Sequence, residues 1–147
     1  MKVICVTGTP GTGKTTLAKK LAKQLGFQYV DVQKLIDTNK IFEGYDKERD
    51  SKIVDTDKLN DFLIKEVIEK SKKKGLVIDS HLSHYLPKKY IDEVIVCKCD
   101  LLKLKKRLVE KGYDSKKVTE NMDSEIFDVC YNEARENKHK IVTYSSD

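Results

Sequence analysis

"GTPGTGKT", Gly8 to Thr15, follows a β-branched run, Val3 to Val6, and precedes fourteen residues whose apolar positions, Leu17, Ala18, Leu21, Ala22 and Leu25, recur at helical spacing. GxxxxGK[ST] set between a strand and a helix is the arrangement in which glycines let successive backbone N–H groups converge on phosphate oxygens. The helix N-terminus adds about half a positive charge at the same place. In that reading Gly8, Gly11 and Gly13 shape an ATP-binding nest, Lys14 reaches the β- and γ-phosphates as a mobile point charge, and the Thr15 hydroxyl is placed to ligate Mg²⁺. Thr16 adds an α-phosphate contact, and ATP is the expected substrate.

The pattern continues outward from the loop. Gly26 stops the first helix, "FQYVDV" reads as a second strand and "QKLIDT" as a short helix. Asn39 to Val54 is a polar excursion without a clear period. "DTDKLNDFLIKEVIEKSKKK" predicts an amphipathic helix capped by Asp55 or Thr56, with the stripe Leu59, Phe62, Leu63 and Val67 facing inward and Gly75 ending it. "LVID" and "EVIVCKC" are continuous apolar runs, the signature of parallel strands covered on both faces. Two helices, Leu101 to Glu110 and about Thr119 to Asn137, are expected before a last strand, "KIVTY", with "KGYDSKKV" as the loop between them. The expected fold is therefore α/β: a three-layer, five-stranded parallel sheet with two protruding segments, at Asn39 to Val54 and Lys111 to Val118. With no repeat, linker or low-complexity tract, residues 1–147 are expected to form a single domain.

Composition narrows the class. The 147 residues carry a net charge of +5, and of the 29 basic side chains only Arg49, Arg107 and Arg135 are arginines. A mildly basic surface favours anionic partners such as nucleotides or RNA, although lysines spread over helix faces are most often solvating. No apolar run approaches the ~20 residues of a membrane span, and no signal peptide opens the chain, so the expectation is a cytoplasmic protein with no membrane partner. Cys5, Cys97, Cys99 and Cys130 contain no CxxC pair, which favours buried free thiols over zinc or disulfides.

"VIDSHLSHYLP", Val77 to Pro87, admits three readings: a metal site, a catalytic pair, or the edge of a core. The phosphate-binding loop orders them. Magnesium ligation needs an acid at the C-terminal end of a neighbouring parallel strand, the edge where open α/β sheets bind ligands, and Asp79 ends a core strand there. His81, two residues on, is expected to face the phosphates and either orient a nucleophile or sense the γ-phosphate, and His84 to be structural or exposed. Zinc would need a further ligand, and the remaining histidine, His139, is far away in sequence.

GTPGTGKTT, IFEGYDKERD, the D-x-H of Asp79 and His81, and KGYDSKKVTENMDSEIFDV occur in the order found in a branch of the P-loop nucleoside monophosphate kinases. Across nearly its whole length the chain resembles the adenylate kinase isoenzyme 6 family, whose archaeal and eukaryotic members act in ribosome biogenesis. The resemblance implies an NMP-binding segment at about residues 31–54 and a lid at about 110–120. It implies transfer of the ATP γ-phosphoryl group to AMP with Mg²⁺, hydrolysis of ATP, and binding of a small-subunit platform ribosomal protein, with rRNA a further partner. Lys14, Asp79, His81 and Arg107 are then the catalytic residues, Arg107 stabilising the transition state. Thr15 and Asp79 serve the metal.

Three departures accompany the resemblance. Lys111 stands where the family's lid has an arginine contacting ATP, offering charge but no flat surface for adenine. Asp37 stands where relatives have an arginine, which weakens AMP binding more than ATP binding and leaves Lys40, Tyr45 and Arg49 to compensate. Relatives also continue into an adenine-contacting loop and a C-terminal helix, whereas Ser145 to Asp147 read as a helix cap with no helix behind it, leaving apolar surface for a partner or a weak dimer. The alternatives to a broad-specificity adenylate kinase are an ATP-gated assembly factor with secondary kinase activity, and a small-molecule kinase with another acceptor.

Overall fold

The computed structural model describes residues 1–49 and 51–145; Asp50 of the polar excursion and Ser146 and Asp147 of the terminal cap reading lie outside them. Five strands form one parallel sheet: β1 (Lys2–Thr7), β2 (Gln28–Asp31), β5 (Gly75–Asp79), β6 (Glu93–Lys98) and β7 (Ile141–Ser145), in the order β2-β5-β1-β6-β7. Successive side chains of a strand point to opposite faces. Ile4, Val6 and Val77 therefore pack on one face against Ala18 and Ala22 of α1 (Lys14–Leu25). Val3, Cys5, Leu76 and Ile78 pack on the other, where Ile36, Leu59 and Leu63 meet them. This is the expected three-layer α/β architecture.

Four helices start on an aspartate whose carboxylate accepts a backbone N–H of the first turn, each such cap contributing about 1 kcal/mol. Asp31 caps α2 (Val32–Asn39), Asp55 caps α3 (Thr56–Phe62), Asp100 caps α4 (Leu101–Glu110) and Asp114 caps α5 (Ser115–Ile126). The choice left open between Asp55 and Thr56 thus falls to Asp55, which accepts from the N–H groups of Asp57 and Lys58. α1 differs, because Gly13 at its N-cap has φ 90° and no side-chain cap.

Local structure departs from the sequence pattern in four places. α3 does not run to Gly75: it passes into a π-helical turn, Leu63–Ile68, in which the Glu69 N–H donates to the Ile64 carbonyl at 2.8 Å. The wider turn brings Leu63 and Ile68, five residues apart, both into the core. Gly75 instead opens β5, and a Cβ there would lie 2.7 Å from the Phe27 ring. The polar excursion contains a hairpin, β3 (Gly44–Asp46) with β4 (Ser51–Ile53), too short to carry a visible period.

The expected helix Thr119 to Asn137 is two, α5 and α6 (Val129–Glu136), because Asp128 adopts the left-handed φ of 52°. Consequently the expected loop Lys111 to Val118 is helical from Ser115 onward, and Val118 packs with Cys99, Leu104 and Leu108 in a small separate core between α4 and α5. All four cysteines are free, three of them buried, and burial pushes the Cys5 thiol up to about 12 and that of half-buried Cys130 to about 11.

The loop after β5, which carries Asp79 and His81, is anchored from beneath by a histidine network. His84 is buried, with Nδ1 2.8 Å from Thr7 Oγ1 and Nε2 3.3 Å from Glu133 Oε1 on α6. The Tyr85 hydroxyl donates to the other Glu133 oxygen, while His139 Nε2 and Asn137 Nδ2 donate to the His84 carbonyl at 2.9 and 3.1 Å. This satisfies a buried imidazole without charging it.

Burial, the first cause in both cases, holds the His84 and His139 imidazoles below their usual value, against the raising effect of Glu133 on His84 and of the carbonyl bonds on His139. The unfolded chain therefore takes up protons near pH ~6.5 that the folded chain refuses. The stability these groups confer is complete above that pH and is lost as pH falls through it, at about 1.4 kcal/mol per pH unit for each proton refused. Calorimetric scans at pH 7.5, 6.5 and 5.5 should show Tm falling by a few degrees per unit at the acid end, with a flatter profile for His84→Gln.

Candidate functional site

The turn between β1 and α1 is held by its own hydrogen bonds and by the sheet edge. The Thr12 N–H and hydroxyl both reach the Thr9 carbonyl, at 3.2 and 2.7 Å. The Cys97 thiol donates to the Thr12 carbonyl at 3.1 Å. Gly8, at φ 148°, lies so close to β6 that a Cβ would sit 2.5 Å from the Cys97 carbonyl oxygen. A side chain there must displace backbone, so the glycine is required by space as well as by dihedral angle. The first N–H groups of α1 are left uncapped by any side chain of Gly13, facing the cavity that Lys14, Thr15 and Thr16 line.

That cavity, about 700 Å³, gathers most of the residues expected to bind ATP: Gly11, Gly13, Lys14, Thr15, Thr16 and Lys111, with Arg107 on its wall. Gly8 lies behind the loop as a spacer. Arg107 reaches the loop directly, Nη1 lying 3.3 Å from the Gly11 carbonyl and 3.3 Å from Cys99 Sγ. Desolvation, then the charges of Lys14 and Lys117, lower the pKa of Lys111, as expected for ammonium groups crowded around a vacant-charge pocket built for anions.

Asp79 sits at the C-terminal end of β5, level with Val6 of β1 and Asp31 of β2. Its Oδ2 accepts hydrogen bonds from the Thr15 hydroxyl at 2.7 Å and from the Tyr29 hydroxyl at 2.6 Å. Its Oδ1 is buried and has no hydrogen-bond partner among the described residues. A buried carboxylate oxygen without a donor is costly, and a hard divalent cation taking oxygen ligands satisfies it. The donor set of Thr15 and Asp79 thus fits Mg²⁺.

A second cavity of about 490 Å³ opens beyond Asp79, between α2, the β3–β4 hairpin, the loop after β5 and α5. His81, Tyr45, Asp37, Lys52 and Lys117 line it. His81 presents surface to solvent in the cavity mouth, yet protein crowds it on its other sides. That enclosure first, then the charge of Lys14 and the neighbouring His84, bring its imidazole down to about 4, so the ring is neutral at pH 7. Asp37 is ion-paired to Lys52, which cancels one positive charge facing this space.

Of the residues expected to hold the acceptor, Tyr45 lines the second cavity and the other two do not. Lys40 is the exposed C-cap of α2. Arg49 forms an ion pair of 3.5 Å with Glu120 of α5, and Lys116 a second of 3.3 Å with Glu48, so the hairpin is tied to the helix opposite.

Three further groups were not singled out by the sequence. Glu125 is buried on α5, accepting from the Cys99 N–H at 2.9 Å and the Thr9 hydroxyl at 3.3 Å, which ties α5 to the phosphate loop. Lys52 lines the second cavity, and Tyr29 donates to Asp79. Tyr29 alone had a signal: a tyrosine two residues from the end of a strand paired alongside the strand that ends in the acid.

Comparison with known proteins agrees with this geometry. The family profile described as "AAA domain" matches residues 4–128. The chain is 37% identical over 144 residues to an adenylate kinase isoenzyme 6 homolog of Caenorhabditis elegans, covering 98% of this chain and 75% of that protein. It is 38% identical over 148 residues to the adenylate kinase isoenzyme 6 homolog FAP7 of Saccharomyces cerevisiae, covering 98% and 73%. Among solved structures, a shikimate kinase from Acinetobacter baumannii in complex with shikimate superposes with a TM-score of 0.64 at 16% identity, covering 100% of this chain and 86% of that one. The shikimate kinase from Bacteroides thetaiotaomicron gives 0.62 at 18%, covering 99% and 86%. These neighbours share the fold of P-loop kinases. Phosphate loop, terminal strand acid and near-full-length identity to these homologs converge on one assignment: the chain belongs to the adenylate kinase isoenzyme 6 family of P-loop proteins.

Proposed function

We propose that this protein is a broad-specificity adenylate kinase, transferring the γ-phosphoryl group of ATP to AMP, and that it hydrolyses ATP when no acceptor is bound. The observation that carries the reading is the Thr15–Asp79 pair, with its unpartnered carboxylate oxygen, at the meeting of two cavities. Residues 31–54 form the acceptor segment and 110–120 the lid of a single domain, and the protein works in the cytoplasm.

Mg²⁺ held by Thr15 and Asp79 supplies Lewis-acid neutralisation of the phosphate oxygens when bound. The rest is positioning and electrostatics by this chain. Backbone N–H groups of the loop and of the first turn of α1 orient the phosphates. Lys14 follows the migrating charge, Arg107 stabilises it from the wall, and Lys111 covers the nucleotide. His81, neutral at pH 7, donates its ring N–H to the acceptor phosphate, or accepts a hydrogen bond from an attacking water through its other nitrogen, and so orients it. Arg49–Glu120 and Lys116–Glu48 join the hairpin to α5 across the second cavity, and keeping the hairpin closed against α5 excludes water.

A second reading, an ATP-gated factor in small ribosomal subunit maturation that binds a platform ribosomal protein and rRNA, is favoured by two observations. Arg49 is engaged by Glu120 and Asp37 faces the acceptor cavity, both of which weaken AMP capture. Ile126, Phe127 and Val129 form an exposed apolar run at the junction of α5 and α6, a surface suited to a protein partner.

ADP formation from ATP and Mg²⁺ should exceed the acceptor-free rate with AMP and dAMP, and to a smaller extent with CMP and UMP. No increase with any of them removes the kinase reading and leaves the ATPase. His81→Ala should lower kcat on the order of 10²-fold, the usual contribution of one positioned proton acceptor, with KM for ATP changed by less than about twofold. A loss confined to KM would place His81 in binding instead.

A further inference from the structure

We infer that Tyr29 is the positioning residue for the magnesium-ligating acid, an assignment that rests on the metal site proposed above. Tyr29 lies in β2, opposite Val77 of β5, and Asp31 lies opposite Asp79. Residues two apart on a strand share a face, so Tyr29 and Asp79 both project to the α1 side. Tyr29 packs there against the buried cluster of Ile4, Val6, Ala18, Ala22, Val77 and Ile95, with the Lys19 ammonium 5.6 Å from its ring centroid.

The ring is therefore fixed, and its hydroxyl is delivered to Asp79 Oδ2 at 2.6 Å. Thr15 donates to the same oxygen at 2.7 Å. Two donors on Oδ2 leave Oδ1 as the oxygen with nothing to bind. The division has a chemical consequence. A carboxylate turns easily about its terminal torsion, whose distribution is broad, and a cation pays for orienting it unless a neighbour has already done so.

Tyr29 does this from β2, beside the Thr15 hydroxyl that shares the same oxygen. Thr15 gives its proton to Asp79 and keeps its lone pairs for the cation, while Tyr29 holds the carboxylate plane so that Oδ1 is the oxygen left for the cation. Outer-shell groups of this kind typically change metal affinity 10- to 100-fold when removed.

The test is Tyr29→Phe, which keeps the packed ring and removes only the hydroxyl. Mn²⁺ affinity of the ADP complex is read by electron paramagnetic resonance, ADP affinity is measured separately in EDTA, and thermal unfolding reports the fold. Wild type should bind Mn²⁺ with ADP and Asp79→Asn should not. Tyr29→Phe should bind it about tenfold more weakly, with ADP affinity in EDTA and Tm close to wild type. Equal Mn²⁺ affinity in Tyr29→Phe and wild type would overturn this inference alone. A parallel loss of ADP affinity in EDTA would also overturn it, by showing a structural role. Absence of Mn²⁺ binding by wild type would overturn the metal-site reading itself, and this inference with it.

Discussion

The parallel register of β1 and β5 is the constraint on which the site depends. Val6 faces Asp79 across the ladder, so the acid emerges beside the turn that Gly8 begins. A slip of one residue would turn Asp79 to the opposite face of the sheet, away from Thr15 and Tyr29. The register is held by the alternation that fills both cores, Ile4, Val6 and Val77 on one side and Val3, Cys5 and Ile78 on the other. Core packing and the placement of Asp79 are thus one requirement: the same apolar residues that stabilise the sheet set the position of the carboxylate.

Around that centre the chain distributes charge unevenly. The phosphate cavity is walled by Lys14, Lys20, Lys111 and Arg107, opposed by Glu110. The second cavity is less positive, since Asp37 offsets Lys52 and His81 carries no charge at pH 7, with Lys117 as its other cation. Dense positive charge in a partly desolvated space favours a polyphosphate over a monophosphate. The asymmetry fits the proposed pairing of phosphoryl transfer with hydrolysis, because the donor site is formed without the acceptor site. It also gives the buried carboxylate of Glu125 a purpose, linking α5 to the phosphate loop through Thr9 and Cys99.

The sheet and the phosphate loop were legible because their signals are local: continuous apolar runs, a strand, a glycine turn, then a helix at fixed spacing. Asp79 was legible because an acid closing a buried strand is unusual. What was not legible depends on contacts far apart in sequence. The π-helical turn at Leu63–Ile68 exists because Ile68 must reach the core, which no local period announces. The break at Asp128 places a non-glycine residue in the left-handed region, a conformation imposed by the packing of α5 and α6. Arg49 looked available for a phosphate, but its partner Glu120 lies on another element. Tyr29 was read only as a strand residue, and its bond to Asp79 spans fifty positions.

The claim at the centre of this account is that Lys14, Thr15 and Asp79 activate a γ-phosphoryl group for delivery across to the His81 cavity. The most direct measurement follows the label of γ-³²P-ATP in the presence of Mg²⁺ and AMP, with wild type and Asp79→Asn side by side. The account predicts that wild type places the label in the β-position of newly formed ADP and that Asp79→Asn does not. Label appearing only as inorganic phosphate, at a rate indifferent to AMP, would contradict it.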